Sequence, residues 1–347
     1  MKQQTFGMCL AALTATVGLA FAAGNNADVS LRKQASEYYK PLPPVVMPKT
    51  GTAKYAEISL GKMLFHDPRL SKSGVISCNT CHNLASYGVD GLATSLGHGF
   101  VSGTRNSPTV FNAALHTRQF WDGRAKDVEE QALGPILNPK EMAMPASSDV
   151  LTKIGSISGY VAMFKKAYPK EQNPVSYANV GKAIGAFERT LLTPSRFDAF
   201  LAGKDAALTV KEKRGLQTYL NIGCAGCHAG AAMGGQVFQK FQIPGLNNED
   251  DQGRFAVTKD PRDKFVFKAY SLRNISRTAP YYHTGSEWDL NKVVEVMAEV
   301  QNNKKLTPQQ TAEITTFLNS LTGDIPKYAL ELPILPASGK ATPRPGI

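Results

Sequence analysis

Apolar residues recur at helical spacing along most of this chain, and the alternation that is typical of strands is scarce. A first helical pattern begins near Ala56 and carries its apolar residues at Ile58, Leu60, Met63 and Leu64. A second pattern, in TVKEKRGLQTYLNIG, carries them at Leu216, Tyr219 and Leu220. The spacing therefore predicts an all-α protein.

Each of these two helical patterns leads into a CxxCH motif, and the two motifs are Cys78-Asn-Thr-Cys81-His82 and Cys224-Ala-Gly-Cys227-His228. CxxCH attaches c-type haem, because the two thiols form thioethers and the following imidazole reaches the iron. A redox-active disulfide is the alternative, but the histidine after each second cysteine argues against it. A zinc site would need paired ligands nearer together in sequence. Two covalent haems are predicted.

The first residues have the pattern of a cleaved export signal. Lys2 precedes a short apolar core that ends in small residues near Ala23, and this core is too short to span a bilayer comfortably. Cys9 precedes the core rather than following it, which argues against a lipid anchor. Cleavage near Ala23 leaves four cysteines, all within the CxxCH motifs. The proline-rich stretch 31–51 is expected to form an irregular arm.

Composition supports two compact domains, since the chain has 347 residues of which 42% are hydrophobic. The formal net charge is +11, but the lysines and arginines are scattered over a solvated surface that can steer an acidic partner. No basic stripe interleaved with aromatic residues is present in the sequence, and nucleic-acid binding is not expected.

The second half of the chain echoes the first beyond the CxxCH motifs. RNSPTVFN at 105–112 resembles the start of RNISRTAPYYHTG at 273–285, and VEEQA at 128–132 resembles VEVMA at 294–298. In this alignment Gln131 stands where the second half has Met297. Methionine is the usual sixth ligand of an electron-transfer cytochrome c and raises its potential. The haem on His228 and Met297 should therefore be closed, and the haem on His82 should lack this ligand.

His98 is the candidate for the sixth position of the first haem. It follows His82 by sixteen residues and lies between two glycines, whose backbone freedom lets a ligand swing in and out. The alternative is a solvent-exposed loop histidine.

Residues 119–145 offer the groups that peroxide activation requires. A base must move a proton between the two oxygens, and donors must stabilise charge as the bond between them breaks. Glu141 and Gln131 are suitable. A solvated surface carboxylate is the alternative for Glu141, and core packing is the alternative for Trp121.

The motifs quoted above, with LGKMLFHDPRLSKSGVISCNTCHNL, GHGFVSGTRNSPTVFNA and QFWDGRAKDVEEQALGP, resemble those of the bacterial di-haem cytochrome c peroxidases over about residues 55 to 325. The resemblance implies two cytochrome c-like domains with the haems near their interface. It implies a periplasmic homodimer that reduces hydrogen peroxide to water with electrons from a small c-type cytochrome or a copper protein. The implied organisation is a signal peptide at 1–23, a peroxidatic haem domain at 24–191, an electron-transfer haem domain at 192–324, and a tail at 325–347 that packs back on the first domain.

Individual roles follow from the same resemblance. His98 matches the displaceable distal ligand and Trp121 the tryptophan between the haems, and the distal catalytic pair is matched by Gln131 and Glu141. An interdomain calcium is implied at Asn106, Thr278 and Pro280, the last two through backbone carbonyls, since calcium prefers oxygen ligands.

One departure from the family pattern concerns the loop of His98, where Phe100 and Thr104 replace an expected tryptophan and proline. This difference bears on how easily His98 is released. Two other functions stay open. One is a non-catalytic electron carrier with both haems six-coordinate, and the other is a related oxidase that modifies tryptophans of a partner protein. The oxidases use tyrosine where this chain has Met297.

Overall fold

Helices are the main regular structure of the fold, as the apolar spacing predicts. The computed structural model describes residues 26–243 and 250–346. The expected export signal and Cys9 lie outside these residues. Within them, the only strands longer than a single bridge form one antiparallel ribbon, Phe238–Lys240 (β1) with Val266–Lys268 (β2). The helical class is confirmed.

The helices of the described residues are 26–36 (α1), Ala53–His66 (α2), Cys78–Cys81 (α3), Val128–Gln131 (α4), Leu133–Leu137 (α5), Ser147–Gly155 (α6), Ser158–Ala167 (α7), Tyr177–Glu188 (α8), Arg196–Leu201 (α9), Val210–Ile222 (α10), Phe255–Thr258 (α11), Leu290–Asn302 (α12), Pro308–Asn319 (α13) and Lys327–Leu330 (α14). Single 3₁₀ turns lie between them at Pro68–Leu70, Leu84–Ser86, His98–Phe100, Ala113–Leu115, Asp205–Ala207, Cys224–Gly226, Pro261–Asp263 and Ile275–Arg277.

The first apolar core forms around α2, α7 and α8. The Thr52 side chain accepts a hydrogen bond from the amide of Tyr55, which satisfies one free donor at the start of α2. Leu60 and Leu64 on the buried face of α2 are fully covered. Gly61 lets α8 approach closely, because a Cβ there would collide with the carbonyl of Ala183. This packing fixes the helix that leads towards the first CxxCH motif.

The second core forms around α10 and α13. A capping box between Thr209 and Glu212 starts α10, and Gly223 ends it at φ 98°, a left-handed conformation that costs glycine little. Leu216 and Phe317 are both fully buried in this core. The chain thus leaves α10 at a defined angle immediately before the second CxxCH motif.

The N-terminal arm differs from its expected form and position. It begins with α1, and Leu31 and Tyr39 belong to the second core rather than to the first. The Tyr39 ring packs edge-on against Phe197 at 5.5 Å, and the amide of Leu42 donates to Asp198 at 2.7 Å. The apolar residues of this arm therefore share a core with residues of α9 and α10. The expected domain bounds stay a prediction.

The C-terminal segment returns to the first core. Arg69 donates to the carbonyl of Pro336 and to the hydroxyl of Ser338, both at 2.9 Å. The amide of Gly346 donates to the carbonyl of Lys72 at 2.8 Å. The end of the chain is therefore held against residues that lie just before the first CxxCH motif.

The two halves repeat each other in a different register from the one that the sequence pairing gave. Asn112 and Asn274 are both fully buried, both adopt left-handed conformations at φ 62° and 61°, and each precedes a 3₁₀ turn. Both side-chain amides donate to the hydroxyl of Thr193 at 2.8 Å. The counterpart of residues 273–274 is therefore 111–112 rather than 105–106. Pairing Arg105-Asn106 with Arg273-Asn274 was wrong. The position that the two halves share is a left-handed backbone conformation, which asparagine adopts more readily than most residues.

The same register continues into the next loops. Phe120 and Tyr282 have φ values of 65° and 67°, and each loop is closed by an isolated bridge with the same spacing. Trp121 in the first half consequently corresponds to His283 in the second.

Candidate active site

The first CxxCH motif lies beside a cavity of about 640 Å³. Ser77 and Thr80 form a capping box around α3, and the amide of His82 donates to the carbonyl of Cys78 at 2.9 Å. One short turn thus presents two thiols and an imidazole to the same cavity. Neither thiol of this motif is in a disulfide, and burial lowers the pKa of His82, which favours the neutral imidazole that binds iron.

The second motif lies beside another cavity, of about 190 Å³. A 3₁₀ turn at Cys224–Gly226 follows α10 directly. The imidazole Nδ1 of His228 lies 3.0 Å from the carbonyl oxygen of Tyr270. Because a carbonyl can only accept, Nδ1 carries the proton and the lone pair of Nε2 is free for a metal. Met297 on α12 lines this cavity as well.

Gln131 and Met297 occupy equivalent places in the two halves. Val128 and Val294, three residues before them, are both buried, and so are Ala132 and Ala298, which follow them. Gln131 lines the first cavity, and Met297 lines the second. The two cavities therefore differ at the position where a methionine thioether is available.

Glu141 lines the first cavity, as Gln131 does. Burial raises the pKa of Glu141, while the charge of Arg124 and a hydrogen bond from Asn138 oppose this effect. The Asn138 amide donates to Glu141 Oε1 at 2.6 Å and so fixes the carboxyl group. A carboxyl group with a raised pKa can hold and release a proton closer to neutral pH.

His98 lies at the rim of the first cavity. Among the described residues, Gly97 lines this cavity and His98 does not. The buried Nδ1 of His98 has no hydrogen-bond partner among them. This buried nitrogen is therefore available for a ligand.

Trp121 lies between the two cavities and lines both. Its indole Nε1 donates to the carbonyl of Asn106 at 2.9 Å, and Asn106 lines both cavities as well. The ring is therefore held in a fixed orientation at the boundary between the halves.

The three expected calcium ligands come together at the second cavity, which Asn106, Thr278 and Pro280 all line. The Asn106 amide nitrogen donates to the carbonyl of Leu92 at 3.0 Å, which leaves its side-chain oxygen free to accept. Within residues 26–243 and 250–346, no group of three or more His, Cys, Asp or Glu side chains is suited to hold a metal. A cation here would be bound mainly by neutral oxygens.

Sequence reasoning missed charged residues in the wall of the first cavity. Arg105 lines it and forms ion pairs with Asp122 at 2.7 Å and with Asp251 at 2.6 Å. Glu188, from the end of α8, lines it too. Asp251 lies 146 residues from Arg105, and no local pattern connects them.

Comparison with known proteins identifies the family. A family model described as di-haem cytochrome c peroxidase matches residues 55–206. The chain is 47% identical over 323 residues to the cytochrome c551 peroxidase of Pseudomonas aeruginosa, covering 91% of this chain and 92% of that protein. This chain belongs to the di-haem cytochrome c peroxidase family.

Two further comparisons support this assignment. The cytochrome c551 peroxidase of Nitrosomonas europaea is 44% identical, covering 88% of this chain and 90% of that protein. The crystal structure of a MauG-like protein associated with microbial copper homeostasis matches with a TM-score of 0.71 and 28% identity, covering 82% of this chain and 93% of that one. The predicted family and enzyme class are confirmed.

Family membership implies two c-type haems, and the residues present fit them. Each CxxCH motif has two thiols outside any disulfide and a half-buried imidazole, and each adjoins its own cavity. The described helices include none long and apolar enough to cross a membrane.

Proposed function

We propose that this protein is a periplasmic peroxidase that reduces hydrogen peroxide to water at the first cavity. Electrons enter at the second cavity from a small c-type cytochrome or a copper protein. Cys78 and Cys81 would hold one haem with His82 as ligand. Cys224 and Cys227 would hold the other, with His228 and Met297 as ligands. Bound haem supplies iron that takes peroxide at the first site and passes electrons at the second.

The main support for this proposal is the difference between Gln131 in the first half and Met297 in the second. A simple electron carrier would keep both irons closed, whereas an enzyme needs one position that substrate can reach. Equivalent helical positions provide a thioether in the second half and an amide in the first. An amide is a poor iron ligand, but it can donate a hydrogen bond to a bound oxygen.

Glu141 would move the proton within the first cavity. It would take a proton from one oxygen of the peroxide and give it to the other oxygen, which then leaves as water. The hydrogen bond from Asn138 holds the carboxyl group in place for both transfers. Gln131 would stabilise charge on the departing oxygen. His98 would cap the first site at rest and leave when electrons arrive, which makes the loop a two-state switch.

Calcium and a second copy of the chain complete the proposal. Calcium would bind at Asn106, Thr278 and Pro280, between the halves, where backbone carbonyls and one amide oxygen are the hard ligands that it prefers. The active form would be a homodimer, and export would follow from the pattern at residues 1–23.

Mass spectrometry and a peroxide assay on the mature protein test the proposal together. We expect two covalent haem additions per chain and rapid peroxide turnover once the protein is supplied with a reductant. Met297→His should lower the higher reduction potential and leave both haems attached. Fewer than two haems would refute the cofactor assignment. Two haems without turnover would favour the electron carrier, and modification of a partner's tryptophans instead would favour the oxidase.

A further inference from the structure

Tyr270 differs in kind from its counterpart in the first half of the internal repeat. It lies four residues before Asn274, and the residue four before Asn112 is Pro108. Both Tyr270 and Pro108 line both cavities. The second half therefore carries an aromatic ring where the first half carries a small pyrrolidine ring.

The contacts of Tyr270 join the two sites. Its ring centroid lies 4.8 Å from that of Trp121, and the rings are tilted by 46°. Its carbonyl accepts the proton on Nδ1 of His228 at 3.0 Å. Two residues before Tyr270, the amide of Lys268 donates to the carbonyl of Trp121 at 2.8 Å. A short, continuous series of contacts thus runs from His228 through Tyr270 to Trp121.

We propose that Tyr270 is the second aromatic residue of the electron path between the two cavities, in series with Trp121. The proposal rests on the proposed function, because it assumes a haem at each CxxCH motif. Tyr270 contacts both residues that the path must join. Its ring packs against Trp121, and its backbone carbonyl accepts a hydrogen bond from His228.

The surroundings of Tyr270 hold its ring in one place. His116 packs edge-on against the ring at 5.0 Å, and Lys268 Nζ lies 4.5 Å from its centroid. Each electron that crosses leaves Tyr270 and Trp121 unchanged. Two electrons and two protons then convert one hydrogen peroxide to two waters.

Internal electron transfer in the protein carrying both haems tests this role. The second site is reduced by a light pulse, and the rate at which the electron reaches the first is followed by absorbance. Tyr270→Leu removes the ring and should slow this transfer by an order of magnitude or more. Tyr270→Phe keeps the ring and should transfer at the wild-type rate. Redox titration of each variant checks that neither potential has moved, since a shift would change the driving force.

Tyr38→Leu is the control, because the exposed Tyr38 lines neither cavity and its loss should leave the transfer rate unchanged. If Tyr270→Leu is unstable, Tyr270→Pro installs the residue of the first half and keeps the carbonyl that His228 needs. Wild-type transfer in either ring-less variant would overturn the proposal, as would equal slowing in Tyr270→Phe. Failure of the wild type to bind two haems or reduce peroxide would instead refute the proposed function.

Discussion

The backbone amide of His98 donates a hydrogen bond to the carbonyl oxygen of Glu141 at 2.7 Å. This bond joins the loop of the proposed iron ligand to the loop of the proposed proton shuttle. Gly97 makes the approach possible, because a Cβ there would collide with the backbone of Lys140 and Glu141. A movement that takes His98 into or out of the first cavity must therefore also move or release the Glu141 loop.

Gly97→Ala should separate these two loops. The added methyl group meets backbone rather than a flexible side chain, so the contact cannot be relieved locally. We expect both haems to remain attached while peroxide turnover falls and the spectrum of the first haem changes. Gly103→Ala is the control from the same region, since its Cβ would come no closer than 3.4 Å to the Ser95 carbonyl. Equal activity of both variants would contradict the proposed coupling between the His98 loop and the Glu141 loop.

His98→Gly should open the first site permanently. If His98 caps the iron at rest, its loss leaves the oxidised protein five-coordinate and able to bind peroxide without prior reduction. Optical and electron paramagnetic resonance spectra of the oxidised protein report the coordination. A six-coordinate spectrum with no replacement ligand would show that His98 is not the cap.

Glu141→Gln should still open on reduction but turn over slowly. Loss of a general acid–base group costs on the order of 10²–10⁴-fold in rate. The amide keeps the shape and can still accept from Asn138, so the change isolates proton transfer. Glu130→Gln, on the exposed side of α4, should keep wild-type activity. Wild-type turnover by Glu141→Gln would place the shuttle elsewhere, with Gln131 the next residue to test.

The ion pair between Arg273 and Asp198 should dominate the stability of the second core. Arg273 is 1% exposed and makes two hydrogen bonds of 2.8 Å to Asp198. Arg273→Met leaves a buried carboxylate unpaired, which typically costs about 3–5 kcal/mol in the free energy of unfolding. Denaturant titration followed by circular dichroism measures this loss. Adding Asp198→Asn should restore part of it, because the amide removes the unpaired charge and can still accept from the Leu42 amide. Failure to restore any stability would show that the loss has another cause.

Glu188 should make the protein less stable as the pH rises. Burial raises the pKa of Glu188 from 4.5 to about 8, the charge of Glu129 adds to this and Arg189 opposes it. The folded state therefore holds this proton more tightly than the unfolded state, and its contribution to stability is lost between pH 4.5 and about 8.

Glu188→Gln should remove that part of the pH dependence and raise the melting temperature above pH 8 relative to the wild type. Melting curves across this range measure the difference. Glu299→Gln, on the exposed side of α12, should change nothing. Parallel curves for the wild type and Glu188→Gln would contradict the proposed titration.

Periodicity predicted the helices well because their apolar faces are local patterns. The equivalence of Gln131 and Met297 was also predictable, since three of the four other residues in VEEQA and VEVMA are identical. The register of the repeat was not, because Asn112 and Asn274 correspond through backbone conformation and a shared bond to Thr193 rather than through neighbouring letters.

Long-range packing explains the other differences. The arm was expected to be irregular because it is rich in proline, yet its first residues form α1 and bury Leu31 and Tyr39 against helices more than 150 residues away in sequence. Nothing near these positions in the sequence indicates which core they join. The role of Tyr270 could not be predicted from the sequence either, since its partner Trp121 lies in the other half of the chain.

The position of the C-terminal segment has a consequence for how the molecule is made. Pro336 and Ser338 accept hydrogen bonds from Arg69, and the amide of Gly346 donates one to Lys72. A ribosome adds Arg69 and Lys72 long before these three partners. The stretch before Cys78 therefore lacks these contacts until residues 336–346 have been made, and the first core is completed late.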